Sequence, residues 1–188
     1  MQPRRDGIDL DAVGRARAGD RDAFDRVAMQ VVDRLYRVAR LILRDAERAD
    51  DAVQDALVRC WRDLPSLRDV GAFEAWLHRL LLRSIHEHFR TATRQRNVIA
   101  LLRPDAVVRD PAEDVATREQ LERGFQRLTI EHRSVLVLRL YLGLSLEETA
   151  ATLGIPAGTA KSRLHYATAA MRDALDADAR PPIREVSA

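Results

Sequence analysis

Apolar residues recur at three- and four-residue spacing along most of this chain, and nowhere do Val and Ile alternate with polar residues over a strand-length window. That pattern predicts an all-α protein. Helices are expected over Asp9–Gly19 and over Asp22–Leu43, the latter capped by Asp22 or Asp20. A third helix is expected from about Ala46 to Leu64, where Pro65 ends it. After a Pro65–Gly71 loop, a long helix should run from about Ala72 to Arg96. Between Asn97 and Thr117 the periodicity gives way to Pro104, Pro111 and mixed charge, the composition of a flexible linker. A second helical block follows over about Arg118–Ala177, and residues 178–188, with Pro181 and Pro182, are expected to be disordered. The organisation is therefore two small helical domains, 1–96 and 118–177, joined by the linker 97–117.

The second block carries a helix-turn-helix pattern. Ser145 followed by Glu148 is a capping box, and Ala150 and Leu153 form the inner face of a short helix. Gly154 allows a left-handed turn, Ile155 plugs the core, and Pro156 suits the first turn of the next helix. On that helix Ala157, Ala160, Leu164, Ala167 and Met171 share the inward sector. Gly158, Thr159, Lys161, Ser162, His165, Tyr166 and Arg172 face outward, a short polar and basic surface of the kind that enters a major groove.

In the first block, Arg79, Arg83, His86, Arg90 and Arg94 fall on one narrow stripe of the long helix, opposite Leu77, Leu80, Leu81, Ser84 and Ile85. A like-charged stripe lacks the mixed-sign pairs that support an exposed helix, so it points to an anionic ligand. Trp76 lies beside the stripe, where an aromatic ring can stack on unpaired bases. The preceding helix is patterned the other way. Val53, Ala56, Leu57, Cys60, Trp61 and Leu64 face inward, while Asp50, Asp51, Gln54 and Asp55 gather on the outer side. No His at ligand spacing and no Gly-rich phosphate loop accompanies those carboxylates. Docking to a basic protein surface suits them better than metal binding or catalysis, with a merely solvated acidic face as the default alternative.

Composition changes the picture in a few respects. The chain has 188 residues and a formal net charge of only +2, so its charge information lies in distribution: an acidic block, a basic one and another acidic one in succession. The cations are 30 Arg and the single Lys161, a bias that suits bidentate phosphate and base contacts. One cysteine, Cys60, excludes an internal disulfide and a four-thiolate zinc site and is expected to pack as a small apolar residue. No apolar run is long enough to span a membrane, and the first residues lack a secretory pattern, so the expected compartment is the cytoplasm, with no membrane insertion. No Ser-His-Asp or Cys-His layout is readable, and neither an enzymatic role nor a cofactor is expected.

Together these pieces resemble a bacterial sigma factor of the extracytoplasmic-function (ECF) group of the sigma-70 family, over roughly residues 10–177. Ala49–Trp61 (ADDAVQDALVRCW) is similar to the family's acidic, Gln-containing polymerase-binding helix, and Phe73–Leu80 (FEAWLHRL) with the basic helix behind it to its melting and −10 recognition segment. Glu131–Ala167 is similar to the family's −35-binding domain, including the Gly-Thr-x-Lys-Ser-Arg stretch Gly158–Arg163. The resemblance implies a factor that binds RNA polymerase core and directs promoter recognition, melting and initiation. Asp50, Asp51, Gln54 and Asp55 would meet the clamp of the largest subunit, and the flap of the second subunit would be a further contact. Trp76, Arg79, Arg83, His86, Arg90 and Arg94, with the loop Leu64–Gly71, would handle the −10 DNA. Gly158, Thr159, Lys161, Ser162, Arg163 and His165 would meet the −35 duplex. An anti-sigma partner is also implied. Arg83 and Glu87 stand where the family often has Asn and Asp, which points to an altered promoter preference. The competing reading is a free-standing helix-turn-helix regulator that dimerises on duplex DNA, which leaves the acidic helix and the Arg stripe without a role.

Overall fold

The computed structural model describes residues 7–96 and 124–179, and all regular structure among them is helical. The expected linker over Asn97–Thr117 and the tail from residue 180 onward lie outside the described residues. The first body comprises α1 (Leu10–Arg17), α2 (Arg21–Leu43), α3 (Ala46–Asp63) and α4 (Phe73–Arg96), with short 3₁₀ turns at Leu64–Ser66 and Val70–Ala72 between the last two. Three helices start on the same device. Asp9, Asp20 and Asp45 accept from the backbone N–H groups of Ala12, Ala23 and Arg48, each at 3.0 Å. Asp20, not Asp22, therefore caps α2. Arg44, in the left-handed region at φ 61°, ends α2, so α3 begins one residue after Asp45 turns the chain.

The second body comprises α5 (Ile130–Leu136), a π turn over Val137–Tyr141, α6 (Leu146–Leu153) and α7 (Ala157–Ala179). The π turn closes where the Leu142 N–H donates to the Val137 carbonyl at 3.0 Å. Both halves of the Ser145–Glu148 capping box form, and Gly154 takes φ 66° between α6 and α7. Pro156 sits just before α7 rather than in its first turn, and its carbonyl accepts from the Ala160 N–H. Ala157, expected on the inward face, is exposed, and burial on that face begins at Ala160.

The two bodies share one apolar core. Ala12, Val27, Leu35, Ile42, Ala56, Phe73, Leu81 and Ile85 of the first continue without a break into Ile130, Val137 and Leu138 of the second. The joint is made where α5 and the π turn lie on α2 and where α6 lies on α4. This explains an unusual run: Ser134 to Leu138 are five consecutive buried residues. A helix lacking a polar face is a helix covered on every side. Here α7 covers one side, with its own smaller cluster of Leu128, Leu136 and Ala167, and the first body covers the other.

A second residue expected to face inward departs. Trp61 retains 38% of its exposure and rests its ring on Phe24, centroids 5.0 Å apart. The inner face of α3 is built from Ala49, Ala52, Ala56 and Cys60, all buried. Such small side chains bring α3 close to its neighbours and leave a bulky indole only the rim.

Candidate functional site

Three surfaces carry the candidate residues. On α3, Asp50, Asp51, Gln54 and Asp55 are all exposed. Residues 51, 54, 55 and 58 share a face at helical spacing, which brings in Val58, 65% exposed and absent from the sequence-derived set. Its signal was available: an apolar side chain one turn beyond Gln54 and Asp55 on an otherwise polar stripe. The acidic face is joined to α4 by two links. Asp55 Oδ2 lies 2.8 Å from His88 Nε2, and Arg59 pairs with Glu87. Their order shows that α3 and α4 run antiparallel. The Arg59 bond holds the Glu87 carboxyl below its usual range, with Arg83 and Arg90 adding to the effect.

On α4 the stripe divides. Arg79, Arg83 and Arg90 are exposed, whereas His86 is half-buried at the joint between the bodies, its Nε2 enclosed and without a partner. Burial pushes the His86 imidazole below its ordinary value. The side chain of Arg94 lies outside the described residues. Trp76 is half-buried at the rim of the core, tilted against Phe73 with centroids 6.1 Å apart. The loop ahead of α4 is fixed by local bonds. Ser66 Oγ donates to the Asp63 carbonyl at 2.6 Å, and the Gly71 N–H donates to Asp69 Oδ1 at 2.8 Å. Arg17 of α1 reaches across and donates to the carbonyls of Leu67 and Arg68 at 3.2 and 3.3 Å. No local pattern announces Arg17, which lies about fifty residues upstream of the atoms it holds.

On α7, Gly158, Lys161, Ser162 and His165 are exposed and Thr159 and Arg163 half-buried. Tyr166, 63% exposed, stands edge-on to His165 at 5.6 Å, and Ser162 Oγ turns back to the Thr159 carbonyl at 3.0 Å. Glu131, at the start of α5, connects this surface with the one on α4. Burial works against its charge, but hydrogen bonds from its own backbone and Thr129, and the fields of Arg163 and His86, hold its carboxyl below the usual range. One carboxylate thus lies between a candidate −35 residue and a candidate −10 residue. Among the described residues no group of three or more His, Cys, Asp or Glu could hold a metal ion, and no helix is long and apolar enough to cross a membrane.

The surfaces map onto two family models. Sigma-70 region 2 matches residues 27–95, which hold α2 after its first turn, α3 and nearly all of α4. Sigma-70, region 4 matches residues 124–173, which hold the second body up to the middle of α7. The ECF RNA polymerase sigma factor SigM of Mycobacterium tuberculosis is 37% identical over 152 residues, spanning 81% of this chain and 76% of that protein. The RNA polymerase sigma-E factor of Streptomyces avermitilis is 40% identical over 165 residues, spanning 86% and 92%. Among solved structures, CnrH in complex with the cytosolic domain of CnrY superimposes with a TM-score of 0.65 at 26% identity, covering 92% of this chain and 99% of that one. The sigma factor RpoE of Bartonella quintana, in complex with the anti-sigma factor NepR, shares the fold with a TM-score of 0.70 at 24% identity, over 82% and 98%.

Proposed function

The chain belongs to the ECF group of the sigma-70 family, non-enzymatic factors that bind RNA polymerase core and promoter DNA and direct transcription initiation, and on that premise we propose how its surfaces divide the work. Domain 1–96 docks on core polymerase and handles the −10 element, the linker 97–117 spans the gap, and domain 118–177 binds the −35 duplex, ahead of the tail 178–188. Asp50, Asp51, Gln54 and Asp55, with Val58 beside them, face the clamp of the largest subunit, and the second domain also meets the flap of the second subunit. Opposite charge steers such docking, and an exposed apolar residue in the patch adds burial. Arg79, Arg83 and Arg90 run along the DNA backbone, joined by His86 and Arg94, while Trp76 and the Leu64–Gly71 loop take an unpaired base. Flipping a base costs a few kcal/mol, so the loop has to be pre-formed, and the Arg17 strut supports that requirement. Gly158, Thr159, Lys161, Ser162, Arg163 and His165 meet the upstream duplex.

The single observation that carries this division is the coexistence in one body of an exposed carboxylate face on α3 and an exposed Arg track on α4. Positions −10 and −35 lie roughly 85 Å apart along duplex DNA at ~3.4 Å per base pair. In the packed arrangement α5 and the π turn lie on α2 and α6 lies on α4, so the two domains separate when the factor engages polymerase and promoter. The complex of CnrH with the cytosolic domain of CnrY supports a polypeptide partner here, which we read as an anti-sigma factor. The factor acts in the cytoplasm, where core polymerase and chromosome are. The test is reconstitution with core polymerase on a promoter library, reading start sites. Asp51→Arg with Asp55→Arg is expected to abolish core binding with helical content intact, and undiminished binding rejects the docking face.

A further inference from the structure

Asp55 is the one member of the acidic face with a side-chain partner on another helix among the described residues, and that partner, His88, has no place in the division of surfaces given above. His88 projects from α4 into the groove with α3, with only 25% of its side chain exposed, against 51% for Asp55. An ionised carboxylate can only accept, so the 2.8 Å contact requires His88 to carry a proton on Nε2 and donate it to Oδ2. One turn further along α3, Arg59 is tied to Glu87, the residue before His88, so α4 is anchored to α3 at a second point here. The imidazole is therefore a fixed donor, and the carboxylate it engages is restricted in rotation while half its surface still faces solvent.

We infer that His88 is a positioning residue for polymerase docking, holding Asp55 in the orientation in which α3 presents it to a basic partner surface. The inference rests on the docking reading of α3 and adds to it that the presenting residue comes from the DNA-handling helix. Freezing a side chain on association is costly, and a carboxylate already oriented in the free protein avoids part of that cost. The interaction is distinct from a plain stabilising bond, because its effect is read in affinity for core rather than in folding.

The experiment titrates the full chain against core polymerase by fluorescence anisotropy at fixed salt. His88→Ala, His88→Leu, His88→Gln, Asp55→Asn and the double variant His88→Ala/Asp55→Asn are compared, with thermal melts alongside. His88→Ala and His88→Leu are expected to raise Kd by about three- to tenfold, the size of one side chain's ordering cost. His88→Gln, which keeps a donor of similar reach, is expected to return affinity to within about twofold, and the double variant to bind no more weakly than Asp55→Asn alone. His88→Leu keeps the packing, so it separates lost orientation from lost structure should the Ala variant melt early. Unchanged affinity in both donor-less variants while Asp55→Asn binds weakly overturns the inference and leaves the docking face standing. So do losses that multiply in the double variant. Wild-type affinity in Asp55→Asn removes Asp55 from the docking face, and the inference with it.

Discussion

The two bodies each carry a basic helix surface, the one proposed to face DNA, with different amounts of internal support. In the first, α4 is braced by a core that includes Leu77, Leu81 and Ile85 and by cross-helix polar links, Asp55–His88, Arg59–Glu87 and Arg34–Glu74, the last at 3.0 Å. In the second, α7 rests on a cluster whose fully buried members are Leu128, Leu136 and Ala167, and the larger buried groups Ile130, Val137 and Leu138 go to the joint with the first body. A small helical unit buries a low fraction of its surface and is marginal by itself. The first body is thus a platform, and the second is a reader stabilised by what it leans on. The contacts that stabilise it are those that the proposed separation of the domains would give up.

Removing the shared contact is the most severe test of that contrast. Leu138→Ala empties a fully buried site and is expected to cost about 2–5 kcal/mol, felt mainly as faster hydrogen exchange in α5–α7. Equal loss of protection in α2–α4 would show that the bodies unfold as one and that the first gives no independent platform. A pH titration comes next and acts in the first body. His78, 2% exposed with both ring nitrogens enclosed and unpartnered, is pushed down to about 4 by burial and the Arg34 charge. The unfolded chain therefore takes up a proton first, and stability falls as pH drops from about 6.5 toward 4. Between pH 7 and 5 the loss is expected to be about 2 kcal/mol. His86, also lowered by burial, adds in the same direction. Urea midpoints at the two pH values check this, with His78→Leu expected to flatten the dependence. Ser145→Ala removes one half of the α6 capping box and is expected to cost about 1 kcal/mol, confined to the second body. Arg17→Ala is the gentlest change. It releases the Leu67 and Arg68 carbonyls and is expected to slow open-complex formation about two- to fivefold with core affinity unchanged, measured by stopped-flow fluorescence.

What could be read from sequence followed from local chemistry. Asp9, Ser145 and Gly154 announce helix ends because capping and left-handed turns involve only neighbouring atoms. Leu77, Leu80, Leu81, Ser84 and Ile85 proved buried because a single periodicity sorts them. The failures were non-local. Trp61 matched the inward pattern of α3, but the depth of that face is set by how closely other helices approach Ala49, Ala52, Ala56 and Cys60. His86 matched the Arg stripe, yet its half-burial depends on where the second body lands. The landing itself had a trace in the chain: Val135 to Leu138 leave no polar side, which a helix open to water on one side does not tolerate.

Cys60, 1% exposed, has its thiol pushed up to about 12, by burial first and then by the negative field of Asp63. Oxidants and electrophiles react with thiolate, and at neutral pH almost none exists here, behind a wall of packed helices. Peroxide or thiol-modifying stress therefore finds no chemical handle on the sole sulfhydryl of this factor.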